Sequence, residues 1–221
     1  MPPAVFDQLR DVFKSPVIEA YGMTEATHQM TSNPMPPMTQ KAGFVGKAAG
    51  PEVCVMDKNG NLLKNGLEGE VCIRGDNVTK GYENNYEANT TAFTNGWFRT
   101  GDQGFFDKDG YLKISGRLKE IINRGGEKIS PLEVDNVLME HEAIEQVVTF
   151  GVKDNLLGEV IGVAVVLKNN AECSEEEIKK YASEKLANFK IPKYICFLDE
   201  IPKGATGKLQ RIGLAAKLGL E

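Results

Sequence analysis

The chain has 221 residues, of which 41% are hydrophobic and 26% are charged, and its formal net charge is −5. This composition is typical of a globular protein with one large or two small domains. No apolar run approaches the roughly 18 residues that a membrane helix needs, and basic residues are interspersed with acidic ones. We therefore expect neither a membrane nor a nucleic-acid partner.

The two ends of the chain carry no recognisable targeting signal. Residues 1–30 lack the basic start and apolar stretch of a secretory signal. The last four residues, LGLE, differ from the Ser-Lys-Leu peroxisomal signal. We predict a cytoplasmic protein and disfavour the peroxisome.

The cysteines are widely spaced and form no Cys-x-x-Cys pair. Most of them lie in apolar, strand-like runs, so we predict buried free thiols rather than disulfides. With only two histidines in the chain, a zinc site has little support. The four cysteines are Cys54, Cys72, Cys173 and Cys196.

The first half of the chain is predicted to be rich in β-strands. After two prolines, AVFDQLRDVF over 4–13 has the spacing of an amphipathic helix. VIEAYG over 17–22 is predicted to be a buried strand. A single buried strand needs neighbours to satisfy its edges, so we expect that the chain is missing strand partners on its N-terminal side. Further strands are predicted at PEVCVMD, GEVCIRG and GYLKIS, with a short helix at EANTTAF and a hairpin at Asp109-Gly110.

The second half is predicted to alternate strands and helices. KEIIN and EKI flank a hairpin turn at Arg124-Gly125-Gly126. SPLE over 130–133 and SEEE over 174–177 are capping boxes that begin helices. QVVTFGV, VIGVAVVL and YICFL are predicted strands, and KLQRIGLAAKLG a final helix. The expected fold class is α/β (α+β), with domains at 1–115 and 116–221.

The pentapeptide YGMTE, residues 21–25, follows a predicted strand end, where α/β folds present ligands. Gly22 would let a base or a phosphate approach the backbone. Thr24 offers a hydroxyl to phosphate, and Glu25 offers a carboxylate to Mg²⁺. Taken alone, the pentapeptide is more often a purely structural turn.

Thr100-Gly101-Asp102 is predicted to place a short carboxylate on a tight turn. Such a carboxylate can accept hydrogen bonds from two vicinal hydroxyls, for example those of a ribose. The alternative is a turn aspartate that bonds its own backbone. Arg117 has donors that could reach the same sugar or a phosphate, although an isolated arginine more often forms a surface ion pair.

A second cationic glycine loop, PKGATGK, spans residues 202–208. Lys208 can stabilise the charge that develops where an α-phosphate and a carboxylate join. The loop is not a Walker motif, because Pro202 and Leu209 break the required pattern. A Gly-Lys loop alone is usually a solvated turn. The four features YGMTE, Thr100-Gly101-Asp102, Arg117 and PKGATGK, in this order and at these spacings, are not plausibly coincidences.

These motifs, together with GRLKEII, resemble the AMP-forming acyl-CoA synthetases of the adenylate-forming superfamily over the whole chain. The resemblance implies a C-terminal portion: a β-rich remnant of the large AMP-binding domain, then a small mobile lid domain. It implies ATP/AMP, Mg²⁺ and coenzyme A as ligands. The implied roles are adenine and phosphate contacts for Gly22 and Thr24, Mg²⁺ binding for Glu25, ribose binding for Asp102 and Arg117, a hinge at Lys119, contact with the CoA arm for Gly125 and Gly126, and adenylation for Lys208.

In that family, carboxylate and ATP form an acyl-adenylate, and the CoA thiol then displaces AMP. The resemblance implies that the small domain rotates between the two steps, so that Lys208 serves the first and the 119–128 face the second.

The run EATHQMTSNP, residues 25–34, looks most like the oxalate–CoA ligase branch. We therefore expect a small carboxylate substrate such as oxalate, with His28 holding its second carboxylate; the alternative is a histidine packed under the loop. The family's N-terminal portion and phosphate loop are missing, so we expect a truncated chain that is inactive alone. Rival readings are a non-catalytic AMP/CoA-binding module, half of a split enzyme with a separate N-terminal partner, or a pseudogene product.

Overall fold

The computed structural model describes residues 3–204, 207 and 209–220, with only the backbone given for residues 3 and 4. The chain divides into two compact units, Met1–Leu118 and Lys119–Glu221. Their assignment as a large-domain remnant and a lid stays a prediction. No helix in the described ranges has the length and apolar character needed to cross a bilayer.

The first unit contains a small sheet and a larger one, both antiparallel. The three-stranded sheet has the order β1-β2-β3, and the five-stranded sheet has the order β4-β5-β7-β6 with β8 also paired to β7. The elements are α1 (Pro3–Phe13), β1 (Ala20–Met23), β2 (His28–Ser32), β3 (Lys47–Ala48), β4 (Glu52–Met56), β5 (Gly69–Arg74), α2 (Tyr86–Ala92), β6 (Phe93–Thr94), β7 (Trp97–Phe106) and β8 (Leu112–Arg117).

The predicted hairpin at Asp109-Gly110 is confirmed, and its turn shows why. Asp107 Oδ1 accepts hydrogen bonds from the backbone N–H groups of Asp109 at 2.9 Å and Tyr111 at 2.8 Å. Gly110 has a φ of +78°, a value that glycine adopts readily. The Lys41 ammonium pairs with both carboxylates of this turn, which ties it to the loop before β3.

The predicted buried strand over 17–22 is wrong in position and in burial. The strand is β1, Ala20–Met23, whose residues are alternately exposed and half-buried. It pairs with β2 along its length, so the neighbour that a lone strand requires lies later in the chain. Helix α1 is confirmed, and it buries Phe6 while Val12 and Phe13 remain exposed.

In its described residues, the second unit contains a five-stranded sheet and two helices longer than one turn. Its strand order is β10-β9-β12-β11, and β13 runs parallel to β12. The elements are β9 (Ile122–Arg124), β10 (Glu127–Ile129), α3 (Pro131–Leu138), β11 (Ile144–Asp154), β12 (Gly158–Leu167), α4 (Glu175–Lys185), β13 (Tyr194–Phe197) and α5 (Leu214–Lys217).

Of the two capping boxes predicted in this unit, one forms and the other does not. The capping box at Ser174 is present, with reciprocal bonds between Ser174 and Glu177. Helix α3 begins where predicted, but the Ser130 side chain makes no capping hydrogen bond. The predicted final helix is wrong in length: α5 has four residues, and Gly213, with a φ of +75°, precedes it.

Strand β12 carries the core of the second unit on both of its faces. Successive side chains of a strand point to opposite faces. Ile161, Val163 and Val165 join a cluster with α3 and α4. The alternate residues Val160, Ala164 and Val166 join a second cluster with Ile201 and Leu214. The continuous apolar run of β12 therefore reflects burial on two sides.

A half-buried arginine links four parts of the second unit. The Arg211 guanidinium, 16% exposed, donates to Glu120 at 2.9 Å and to Asp135 at 2.9 Å, and it also donates to the Thr149 carbonyl. The Asp135 carboxylate, buried on α3, in addition accepts the Thr149 N–H at 2.7 Å. Burial raises the pKa of Asp135, and Arg211 opposes that shift.

Replacing Arg211 by Met should destabilise the second unit by about 3–5 kcal/mol, because it leaves the Asp135 carboxylate buried without its cation. Removing both charges, in Arg211→Met with Asp135→Asn, should recover much of that loss. Denaturant unfolding of the full chain, with hydrogen exchange of β11 and β12 amides, measures both. Equal losses in the single and double variants would contradict this account.

Candidate functional site

The YGMTE pentapeptide begins in β1 and ends in a single 3-10 turn, Thr24–Ala26. Gly22 lies against the start of β2: a Cβ atom at this position would stand 1.8 Å from the His28 carbonyl oxygen. Glycine is required here because another backbone segment approaches closely. The Thr24 side chain is exposed, and the Glu25 side chain is half-buried.

A loop between β5 and α2 holds the Glu25 turn. The Glu25 carbonyl accepts the Thr79 N–H at 2.7 Å, and Glu25 Oε1 accepts the Tyr82 hydroxyl at 2.9 Å. The Asn77 side chain donates to the Ala26 carbonyl at 2.8 Å. Burial and the Glu25 carboxylate raise the pKa of Tyr82. Glu25 is thereby oriented by residues that no sequence pattern singled out.

The predicted tight turn at Thr100–Asp102 is wrong, because these residues lie inside the long strand β7. Opposite β5, the pairing jumps from Cys72↔Arg99 to Glu70↔Gln103, so three residues of β7 face one of β5. Gly101 has a φ of +74°. The irregularity is a β-bulge, which redirects a side chain without ending the strand.

Two polar residues next to the bulge fix its shape. The Thr100 hydroxyl donates to the Val71 carbonyl at 2.7 Å and accepts the Asp102 N–H at 3.1 Å. The Glu70 carboxylate, 7% exposed, accepts the Gly101 N–H at 3.0 Å and the Arg99 Nε at 2.8 Å. Glu70 and Arg99 were not predicted as site residues, since neither belongs to a recognisable motif.

Asp102 is where three separate motifs meet. Its carboxylate is 7% exposed, and it accepts the Tyr21 hydroxyl at 2.5 Å on Oδ2 and Arg117 Nε at 2.7 Å on Oδ1. Burial raises the pKa of Tyr21, and the neighbouring Asp102 charge adds to the rise. Each carboxylate oxygen has a further lone pair, so the group can still accept hydroxyl donors.

Asp102 and Arg117 form an ion pair that is buried at the carboxylate and exposed along the arginine. The Asp102 carboxylate bonds two side chains from distant parts of the sequence, Tyr21 and Arg117. Arg117 is 58% exposed and pairs with Asp102 through Nε. The arginine thus extends from a buried carboxylate to the surface of the first unit.

His28 stands at the first position of β2 with a φ of +84°, an uncommon value for a residue with a side chain. Its ring is exposed rather than packed under the loop. The preceding Thr27 also has positive φ, and its hydroxyl donates to the Asn77 carbonyl at 3.0 Å. The turn that presents His28 is therefore held to the loop that contains Asn77.

The remaining predicted residues lie in the second unit or at its start. Lys119 is exposed, in a 3-10 turn spanning Leu118–Glu120. Gly125 and Gly126 form the exposed turn between β9 and β10, with φ of +59° and +93°. Lys208 lies outside the described residues; on either side of it, a bridge joins Lys203 and Leu209.

Among the described residues, no group of three or more His, Cys, Asp or Glu is arranged to hold a metal ion. Glu25 therefore offers a single carboxylate. That donor suits Mg²⁺, which binds through one or two carboxylates together with substrate phosphates and water.

Comparison with known proteins identifies the family. The AMP-binding enzyme family matches residues 1–83, and the AMP-binding enzyme C-terminal domain matches residues 133–208. A probable CoA ligase of Humulus lupulus is 52% identical over 95% of the chain and 40% of its own length. Oxalate–CoA ligases of Saccharomyces cerevisiae and Arabidopsis thaliana are each 51% identical over 95% of the chain, and 39% and 41% of their own lengths.

Solved structures agree with this assignment. ATP-bound MatB of Rhodopseudomonas palustris matches with a TM-score of 0.91 and 31% identity, over 97% of the chain and 43% of that protein. The o-succinylbenzoate CoA synthetase of Bacillus subtilis, in complex with its acyl-adenylate, matches with a TM-score of 0.87 and 34% identity, over 96% of the chain and 43% of that protein.

The chain belongs to the AMP-binding enzyme family of adenylate-forming acyl-CoA synthetases, and it spans about two-fifths of the length of the curated relatives it matches. The predicted family and the mixed α/β fold class are confirmed.

Replacing Gly22 by Ala should destabilise the first unit by about 3 kcal/mol or more, because the methyl group would overlap the His28 carbonyl. Gly96→Ala is the matched control: it has a φ of +79° and open space around it, so we expect a cost of about 1–2 kcal/mol. Chemical denaturation followed by Trp97 fluorescence compares them. Similar small costs in both variants would contradict the close contact.

Proposed function

We propose that this chain provides the nucleotide- and CoA-binding portion of a ligase that joins a carboxylic acid to coenzyme A. The reaction proceeds through an acyl-adenylate and releases AMP and pyrophosphate. The observation that carries the proposal is the convergence of Tyr21 and Arg117 on the buried Asp102 carboxylate. The family membership and the CoA-ligase names of the relatives support it.

In the first half-reaction, a substrate carboxylate oxygen attacks the α-phosphorus of ATP, and pyrophosphate leaves. Asp102 accepts hydrogen bonds from the ribose hydroxyls, with Arg117 beside it. Gly22 lets β2 pack closely against the YGMTE turn, beside the bound nucleotide, and the Thr24 hydroxyl donates to phosphate. Glu25 would hold Mg²⁺, and the ion would neutralise phosphate charge. The Lys208 ammonium stabilises the charge that develops at the α-phosphate.

In the second half-reaction, the CoA thiol sulfur attacks the acyl carbonyl carbon, and AMP leaves. The second unit turns about Lys119 between the two steps, as the family resemblance implies. The exposed Gly125-Gly126 turn then contacts the CoA arm, since two glycines let an extended ligand lie close to the backbone.

The substrate we propose is a small dicarboxylate such as oxalate. Two of the relatives at 51% identity are oxalate–CoA ligases. His28 is exposed on a turn next to Gly22. An imidazole N–H there would donate a hydrogen bond to the carboxylate that does not react.

The complete reaction requires more protein than these residues. The 210 residues aligned with the Humulus relative make up 40% of that protein. We propose that the 221-residue chain alone forms no adenylate and acts with a polypeptide equivalent to the remaining part. The rival function is a module that binds AMP or CoA without catalysis. The alignment with 40% of the Humulus relative also favours this alternative.

The test mixes the purified chain with the segment of the Arabidopsis relative that precedes the matched portion. We expect no pyrophosphate exchange from the chain alone, and oxalate-dependent exchange and oxalyl-CoA formation from the mixture. Lys208→Ala should lower exchange about a hundredfold or more. Lys179→Ala, which removes an exposed ion pair with Glu175 on α4, is the matched control and should leave it unchanged.

His28→Ala should reduce turnover of oxalate and leave that of a fatty acid unaltered. Equal losses on both substrates would remove the proposed role of His28. Exchange by the chain alone would overturn the requirement for a second segment. AMP binding without exchange in any mixture would favour the non-catalytic module.

A further inference from the structure

Two cysteines of the first unit face each other across a strand pair that the proposed reaction does not use. Cys54 on β4 lies directly opposite Cys72 on β5. Residues so placed have Cα atoms about 4.5 or 5.5 Å apart, depending on the pair type. Both distances lie within the roughly 4.4–6.8 Å that a disulfide spans. All four cysteines are free thiols in the structure.

The two thiols differ in accessibility and in acidity. Cys72 is fully buried, whereas Cys54 is half-buried. The neighbouring Cys72 thiol and, to a smaller extent, the Arg74 charge lower the pKa of Cys54. The same contact and burial raise the pKa of Cys72. The thiolate, which is the reactive form, therefore forms at the more accessible sulfur.

The other two cysteines lack this arrangement. Cys173 and Cys196 lie in the second unit, and burial raises the pKa of each. Cys173 and Cys72 each form a weak hydrogen bond with a backbone carbonyl, that of Ser174 and that of Glu70, but Cys72 also faces a second cysteine across a strand pair. Cys173 and Cys196 are thus internal controls of comparable exposure.

The only tryptophan in the sequence packs on the cysteine pair. Cys72, Met56 and Trp97 form one buried cluster, against which Cys54 packs. The Arg74 guanidinium lies 4.4 Å from the centre of the Trp97 ring. A change in the state of either sulfur should therefore alter the fluorescence of that indole.

We propose that Cys54 and Cys72 form a modification site that reacts with a hydroperoxide and closes into a cross-strand disulfide. The Cys54 thiolate attacks one peroxide oxygen, the O–O bond breaks, and the other oxygen leaves as an alcohol after taking a proton. The Cys72 sulfur then attacks the sulfenic sulfur of Cys54 and displaces water. Two thiols and one hydroperoxide give one disulfide, one alcohol and one water, with two electrons passing from sulfur to oxygen.

The position of the pair makes this reaction relevant to the rest of the first unit. On its other side, Cys72 lies opposite Arg99 of β7. Arg99 bonds Glu70, the carboxylate that accepts the Gly101 N–H at the bulge. The disulfide joins β4 to β5, the strand that pairs with β7 at the bulge, and by constraining the unfolded chain it should raise the denaturation midpoint of the first unit.

The test treats the reduced 221-residue chain with hydrogen peroxide. We expect two of the four thiols to be lost, the chain mass to fall by two hydrogen atoms, and peptide mapping to join Cys54 to Cys72. Trp97 fluorescence should change in step, and dithiothreitol should reverse every signal. The Cys173→Ser/Cys196→Ser variant should behave as the parent does.

Single variants separate the two roles. Cys54→Ser should abolish disulfide formation, and Cys72→Ala should stop the reaction at a sulfenic acid that dimedone traps on Cys54. Near-ultraviolet circular dichroism checks that Cys72→Ala is folded; Cys54→Ala, at the half-buried position, gives an independent loss of the disulfide. Oxidation of Cys173 or Cys196 at the rate of Cys54, or only intermolecular disulfides, would overturn the proposal.

Discussion

The arrangement of the first unit depends on the burial of one carboxylate. Burying a charge is costly unless it is paired and hydrogen-bonded. Asp102 meets that requirement with Tyr21 from β1 and Arg117 from the end of β8. The small sheet and the five-stranded sheet are therefore joined by the hydrogen bond between Tyr21 and Asp102. The Asp102 carboxylate keeps lone pairs that can accept further donors.

A bulge, rather than a turn, lets a strand carry this carboxylate. Because β7 continues through Asp102, its neighbours β5 and β8 hold both sides of the group. A residue on a strand keeps a more fixed position than one on a free loop. The buried Glu70 carboxylate stabilises the bulge through Gly101 and Arg99, so a second paired charge supports the first.

Features with local causes were predictable from the sequence, and features with distant causes were not. The 107–111 hairpin, the Ser174 capping box and the Gly125-Gly126 turn follow from neighbouring residues. The bond between Tyr21 and Asp102 joins residues 81 positions apart, and no periodicity encodes it. The start of the last helix also escaped prediction, because Arg211, which lies before α5, pairs with Glu120 and Asp135 instead of belonging to a helix. The candidate site residues were proposed through motif resemblance, and Glu70 and Tyr82, which belong to no motif, were not among them.

The central claim is that Asp102 binds the ribose hydroxyls of AMP. Calorimetric binding of AMP and of 2′,3′-dideoxy-AMP to the full chain tests it most directly, with Asp109→Asn as a control at an exposed carboxylate paired with Lys41. Hydrogen bonds to a charged group contribute about 1.5–3 kcal/mol, so AMP should bind at least about tenfold more tightly than the dideoxy analogue, and Asp102→Asn should remove the difference. Equal affinity for the two nucleotides in the unmodified chain, or no binding of AMP at all, would contradict the account.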